Sequence, residues 1–190
     1  GVALLGVRIT LTQVADLGWQ SAALVALALV LTIASGVLLA KLLGRTRDEG
    51  LISGGSVAIC GASAALAVAS VLPQSKENER FTLLTVVGVT VLSTVAMIAY
   101  PFLLKLLSVD PLTSGVFLGG TIHDVAQVVA AGMLLGPQAG DTATVVKLWR
   151  VLLLMPVVVV IALVYRRSSV ADPDTDTPTS QVPLIPTFLL

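Results

Sequence analysis

His123 is the only histidine of this 190-residue chain, and it stands beside Asp124 inside an apolar run, GGTIHDVAQVVAAGMLLG, residues Gly119–Gly136. An imidazole next to a carboxylate can pass a proton or hold a cation. A carboxylate at the centre of a bilayer costs roughly 2.5–3.5 kcal/mol even on insertion scales, so it persists where it faces a cavity, finds a partner or handles an ion. Thr121 opens a T-x-x-D pattern in which its hydroxyl caps the Asp124 N–H and the carboxylate reaches back. That pattern predicts a helix starting afresh within the apolar stretch. On such a helix His123 and Gln127, four apart, share a flank with Asp124. The opposite flank, Ile122, Val125, Val129 and Met133, suits lipid or apolar packing. The bland alternative is that Asp124 only caps its own helix while His123 donates to a carbonyl; the two roles are compatible.

A second interruption, Gly54-Gly55-Ser56, precedes Cys60, Gly61 and Ser63. Small residues allow close helix approach, which predicts a tightly packed interior helix. The competing reading is a broken helix whose new start is capped by Ser56. A helix start within a membrane presents free N–H groups and a positive dipole end, a ready site for an anion. Lys147 and Arg150, three apart with Trp149 between them, are either snorkelling anchors at an interface or an electropositive lip facing an anion. Cys60 has no base near it in sequence and reads as a small buried residue.

The elements that must position these groups are membrane spans. Hydrophobic residues make up 56% of the chain and charged residues 12%, about half the charge fraction of soluble domains. Several runs exceed the roughly 20 apolar residues that cross a bilayer. The spacing predicts an all-α, polytopic transmembrane protein with glycine-broken, discontinuous helices. Its membrane region covers 1–166, with a partial span at 2–14 and spans at 21–43, 51–73, 81–104, 112–135 and 142–165. Gln74–Arg80 and Gly136–Asp141 read as turns, Trp19 as an interfacial belt residue, and Pro101 and Pro156 as kinks. Residues 167–181 read as a polar acidic linker and 182–190 as the start of a further helix. The absence of an initiator Met and the apolar final residues predict an internal piece of a longer protein. If five segments cross fully, Lys and Arg divide six to five between the two sides, with Lys41, Arg45, Arg47, Lys105, Arg166 and Arg167 facing Arg8, Lys76, Arg80, Lys147 and Arg150. That bias does not select an orientation.

Net charge is zero, which gives no electrostatic case for nucleic acid. One cysteine excludes an internal disulfide and a cysteine-based metal cluster. No metal, cofactor or catalytic residue is predicted. With one His, and no H-E-x-x-H or G-x-S-x-G, a membrane-embedded enzyme is disfavoured. A non-transporting structural or sensory membrane subunit remains the alternative to a transporter.

Three motifs carry a family resemblance. ICGASA (Ile59–Ala64), IHDVAQVVAAG (Ile122–Gly132) and TVVKLWRVLLLMP (Thr144–Pro156) resemble, in order, the YeiH-type membrane proteins, a family assigned to sulfate export. Val57 and Ala58 stand where the family resemblance leads one to expect hydroxyl side chains, and Ser70 where a proline is usual. The resemblance implies a bacterial multi-pass secondary transporter of the inner membrane with an inverted-repeat, bile-acid-symporter-like fold. It implies a small anion such as sulfate or a sulfonate as substrate, coupled to a proton or cation, with the lipid bilayer as surroundings and homo-oligomers allowed. The residues carried into such a site are His123, Asp124, Gln127, Thr121, Ser63, Ser56, Lys147 and Arg150.

Overall fold

The computed structural model describes residues 19–170. Among them the regular elements are all α-helical: α1 (Trp19–Leu42), α2 (Arg47–Ala58), α3 (Ala62–Ser70), α4 (Lys76–Leu106), α5 (Pro111–Thr121), α6 (Val125–Leu135), α7 (Pro137–Leu152) and α8 (Leu154–Val170). The expected span 2–14 with Arg8, the linker beyond Val170 and the start at 182–190 lie outside the described residues.

Three stretches are long and apolar enough to cross a membrane: Ala23–Leu42, Lys76–Leu106 and Pro137–Arg166. At about 1.5 Å per residue, α4 measures roughly 46 Å against a hydrocarbon core of about 30 Å. The charged Lys76–Arg80, expected as a loop, therefore forms the protruding first turns of α4. Ser75 caps them by accepting from the Asn78 N–H. The expected turn Gly136–Asp141 is likewise mostly helical. Gly136 alone makes the bend, at φ 124°, and Pro137 opens α7 with its φ already set for a helix. The last span is interrupted at Leu153. Pro156 has no N–H and its ring crowds the carbonyl four residues back, Leu152, so α7 ends there and Pro156 falls in the first turn of α8. α8 also takes in residues 167–170, which the sequence assigned to the linker.

The other two expected spans, 51–73 and 112–135, do not cross; each turns back. Gly55 on α2 faces Val68 on α3, where an added Cβ would lie 3.1 Å from Val68 Cγ2. Asn78, just beyond α3, donates to Asp48 at the start of α2 over 3.1 Å. The chain thus re-emerges at the end where it entered. In the second pair, Gly115 on α5 and Gly132 on α6 both abut the Ala139 carbonyl, their added Cβ atoms lying 2.8 and 3.2 Å away. Leu134 and Leu135 also line a cavity with Asp110 and Pro111. Two re-entrant hairpins therefore enter from opposite ends of the bundle, here called the Arg47 end and the Pro111 end.

The cores follow this division. One cluster joins Leu51, Ile52, Val68 and Leu72 to Val158 and Ile161. The other joins Leu104, Leu118, Ile122, Val128, Ala131 and Ala143. Lipid is as apolar as leucine, so burial from it brings little transfer gain and close packing must do more. Glycines supply the approach: an added Cβ at Gly36 would sit 2.6 Å from the Gly54 Cα, and one at Gly119 2.5 Å from the Ala143 carbonyl oxygen. Together α4 and α7–α8 span both halves and bring the hairpin tips into register.

Candidate functional site

Each tip is a break between two half-helices, and the breaks are not where the glycine pairs suggested. α2 runs unbroken through Gly54, Gly55 and Ser56. Ser56 is fully buried and does not cap a new start; its hydroxyl donates to the Gly61 carbonyl over 3.0 Å. The break falls at Ile59–Gly61, where Gly61 adopts φ 70°, a backbone setting that favours glycine. In the second tip Thr121 is the last residue of α5 rather than a cap, its hydroxyl donating to the Phe117 carbonyl over 2.6 Å. The cap is Asp124, whose Oδ1 accepts from the Gln127 N–H at 3.1 Å. His123 lies in the extended link and does not share a helical flank with Gln127. Of the flank expected to meet lipid or apolar packing, Ile122 and Val125 are buried among protein groups because the chain folds back over them.

The two tips touch. A Cβ added to Gly61 would lie 3.2 Å from the His123 Cβ. From α7, Lys147 Nζ donates to the Ile59 carbonyl at 2.6 Å and to the Ile122 carbonyl at 2.8 Å, one carbonyl from each break. Arg150 spreads its guanidinium over the same two helix ends. Nε donates to Ala58 O at 2.9 Å, Nη2 to Val57 O at 3.1 Å and to Ala58 O, and Nη1 to Gly119 O at 3.4 Å and to Gly120 O. Lys147 is fully buried and Arg150 nearly so. They are neither snorkelling anchors nor a free electropositive lip. They satisfy carbonyls that two helix C-termini leave unpaired where no water reaches, and the negative dipole ends favour their charge.

α4 holds the second tip. The Ser93 hydroxyl, buried, accepts from the backbone N–H of His123 at 3.1 Å and of Asp124 at 3.3 Å. Next to it, Thr94 Oγ1 accepts from Gln127 Nε2 at 3.0 Å. The sequence reading passed over both residues as part of a plain span. The available signal was a Ser-Thr pair, with Thr90 four residues earlier, in an otherwise apolar helix. Ser63, on the first turn of α3, is exposed; Gly61 has no side chain to cap that helix, and the Cys60 sulfur faces the Ala64 N–H and the Ser63 side chain in its first turn. Two polar atoms of the second tip are buried without a partner, His123 Nδ1 and Gln127 Oε1.

Each half-helix end carries about half a unit charge, two negative and two positive at this junction. These cancel, and the formal charges of Lys147, Arg150 and Asp124 leave a surplus of about one positive charge. The surplus and the positive dipole end at the start of α3 can attract an anion. Among the described residues no cluster of His, Cys, Asp and Glu is placed to hold a metal.

The whole chain, residues 1–190, matches the model of the family described as Conserved hypothetical protein 698. The chain belongs to this family. Its similarity to curated UPF0324 membrane proteins bears out the YeiH-type resemblance. It is 50% identical over 190 residues to a UPF0324 membrane protein of Chlorobaculum tepidum, covering all of this chain and 53% of the relative. It is 52% identical over 190 residues to the UPF0324 membrane protein TauZ of Paracoccus pantotrophus, covering 55% of it, and 50% identical over the same length to one of Rhizobium meliloti, covering 54%. The chain thus spans about half the length of the curated relatives it matches. No solved structure matches the chain. Family membership and the three long apolar helices make it a helical membrane protein.

Proposed function

We propose that this chain forms part of a multi-pass secondary transporter of the bacterial inner membrane that exports a small anion, such as sulfate or a sulfonate, coupled to protons or cations. The observation that carries the reading is the meeting of two oppositely inserted hairpin tips with a surplus positive charge between them. Secondary transporters place their substrates at discontinuous helices near the membrane midplane, in folds made of inverted repeats. In this reading the anion binds at the start of α3 with Ser63, and His123 and Asp124 form the coupling pair. Lys147 and Arg150 act through their field, since carbonyls already occupy their donors. The protein acts as a transporter and not as an enzyme.

The hairpins also support a preference for orientation. Lys41, Arg45, Arg47, Lys76, Arg80, Arg166 and Arg167 all belong to the Arg47 end, against Lys105 alone at the Pro111 end among the described residues. By the positive-inside rule the Arg47 end is cytoplasmic. A cysteine introduced at Lys76 should react with a membrane-impermeant reagent only from the cytoplasmic side, and one at Thr113 only from outside; the reverse pattern removes the assignment.

The functional test uses the full-length protein in proteoliposomes, following labelled sulfate with and without an imposed pH gradient. Gradient-dependent flux that disappears in a well-inserted Asp124→Asn variant supports coupling at this tip. Equal flux in both proteins rejects that role for Asp124.

A further inference from the structure

The amide of Gln127 is fixed in one orientation. The Thr94 hydroxyl spends its single proton on the Thr90 carbonyl at 2.9 Å, so it can only accept from Gln127. Nε2 must therefore face Thr94, and Oε1 is left as a buried acceptor without a donor. Beside it, Asp124 uses Oδ1 on the Gln127 N–H and keeps an exposed carboxylate. His123 Nδ1, in the link just before the cap, is also buried without a hydrogen-bond partner. A buried acceptor without a donor is costly, and in native structures such a group usually has a partner in water or a ligand.

A bare oxyanion brings acceptors only. Placed here it leaves Gln127 Oε1 unpaired and sets its charge against Asp124. An ammonium group answers both demands, with N–H donors for Oε1 and positive charge for the carboxylate. We propose that the ligand of this junction carries an ammonium group on Gln127 and Asp124 together with an anionic group, which makes the substrate class a small zwitterion such as an amine-bearing sulfonate. This rests on the reading of the junction as an anion-transport site. The anionic end lies toward the other tip, whose Gly61 packs against His123. The positive surplus of Lys147 and Arg150 favours it there.

The test is a matched pair in proteoliposomes of the full-length protein: labelled 2-aminoethanesulfonate and ethanesulfonate, identical at the sulfonate and differing in the amine. The expected kcat/KM for the amine-bearing compound is roughly tenfold to a hundredfold higher, the value of a hydrogen bond to a charged group. Gln127→Leu should bring the ratio down toward one. Equal kcat/KM for the pair in the wild type overturns the zwitterion while leaving anion transport in place. A preserved ratio in a well-inserted Gln127→Leu protein overturns the role of Oε1. Should that variant fail to insert, the wild-type pair alone decides. If neither compound nor sulfate moves, the transport reading fails and this inference with it.

Discussion

In the α2–α3 hairpin the chain reverses at a glycine with φ 70°, which has no side chain to cap the helix that follows; in α5–α6 it passes through extended residues and restarts on Asp124. The incoming helices are finished alike, their last carbonyls taken by Lys147 and Arg150. The outgoing helices differ. α3 is held by packing, with Ala64, Ala65, Ala67 and Val68 buried, whereas α6 is tied to α4 through Ser93 and Thr94. Where no water can satisfy the backbone, the last carbonyls of both incoming helices are taken by shared cations, while the N-terminal amides can be left for a ligand or capped. The tip that restarts on Gly61 is the one proposed to take the anion, and the tip capped by Asp124 carries His123 and Asp124.

The sharpest way to break this comparison is to remove the shared lock. Arg150→Leu leaves buried carbonyls of both α2 and α5 unpaired and should cost at least about 3 kcal/mol at roughly 1–3 kcal/mol per unsatisfied group. Hydrogen exchange should rise at both tips together; loss of protection at one alone would show that the lock is not shared. Next comes the first tip by itself. Gly61→Ala forces an L side chain into backbone at φ 70° and ψ −119°, outside the left-handed helical well, at about 1–3 kcal/mol, before its 3.2 Å contact with His123 is counted. Gly120→Ala, whose Cβ meets nothing within 4 Å, is the control and should be close to neutral in thermal unfolding.

Ser93→Ala acts on the second tip only. It removes the acceptor of the His123 and Asp124 amides and should cost about 1 kcal/mol, with faster exchange over residues 122–126 and none added at 59–64. The smallest effect concerns the mouth of the same hairpin. Asp110 caps α5, and its hydrogen bonds from the Thr113 side chain and N–H hold its carboxyl below the ordinary value of 3.8. A lowered folded-state pKa contributes stability that is present above the unfolded value and is lost as pH falls through the folded one. The stability difference between wild type and Asp110→Asn should therefore be constant near neutrality and shrink only as pH drops below that value. A difference that shrinks on raising pH would contradict the cap.

Part of this site was legible in advance. His123-Asp124 in an apolar run marked a break, and the break is there, although three residues later than Thr121 suggested. The capping box failed because Thr121 hydrogen-bonds back to Phe117, the alternative any helical threonine has, while the D-x-x-Q spacing of Asp124 and Gln127 formed the cap. Gly54-Gly55 allowed either a break or a packing face and forms a packing face; a glycine pair by itself reads the same in both cases. Ser93 was overlooked because its role appears only when the backbone amides it serves are brought beside it.

What the sequence determined alone is the class: an apolar, charge-poor chain must satisfy its backbone internally, so it is helical and belongs in a membrane. It also marked an interruption beside His123, while for the segment holding Cys60 it left a packed helix and a break both open. Whether those segments cross or return was decided by tertiary structure. Apolar length is the same for a span and for a hairpin of two half-length helices, and the direction after the break depends on a few backbone torsions and on α4 and α7. The partners of Lys147 and Arg150 were likewise beyond the sequence, because they are carbonyl oxygens, which every residue carries and no pattern marks.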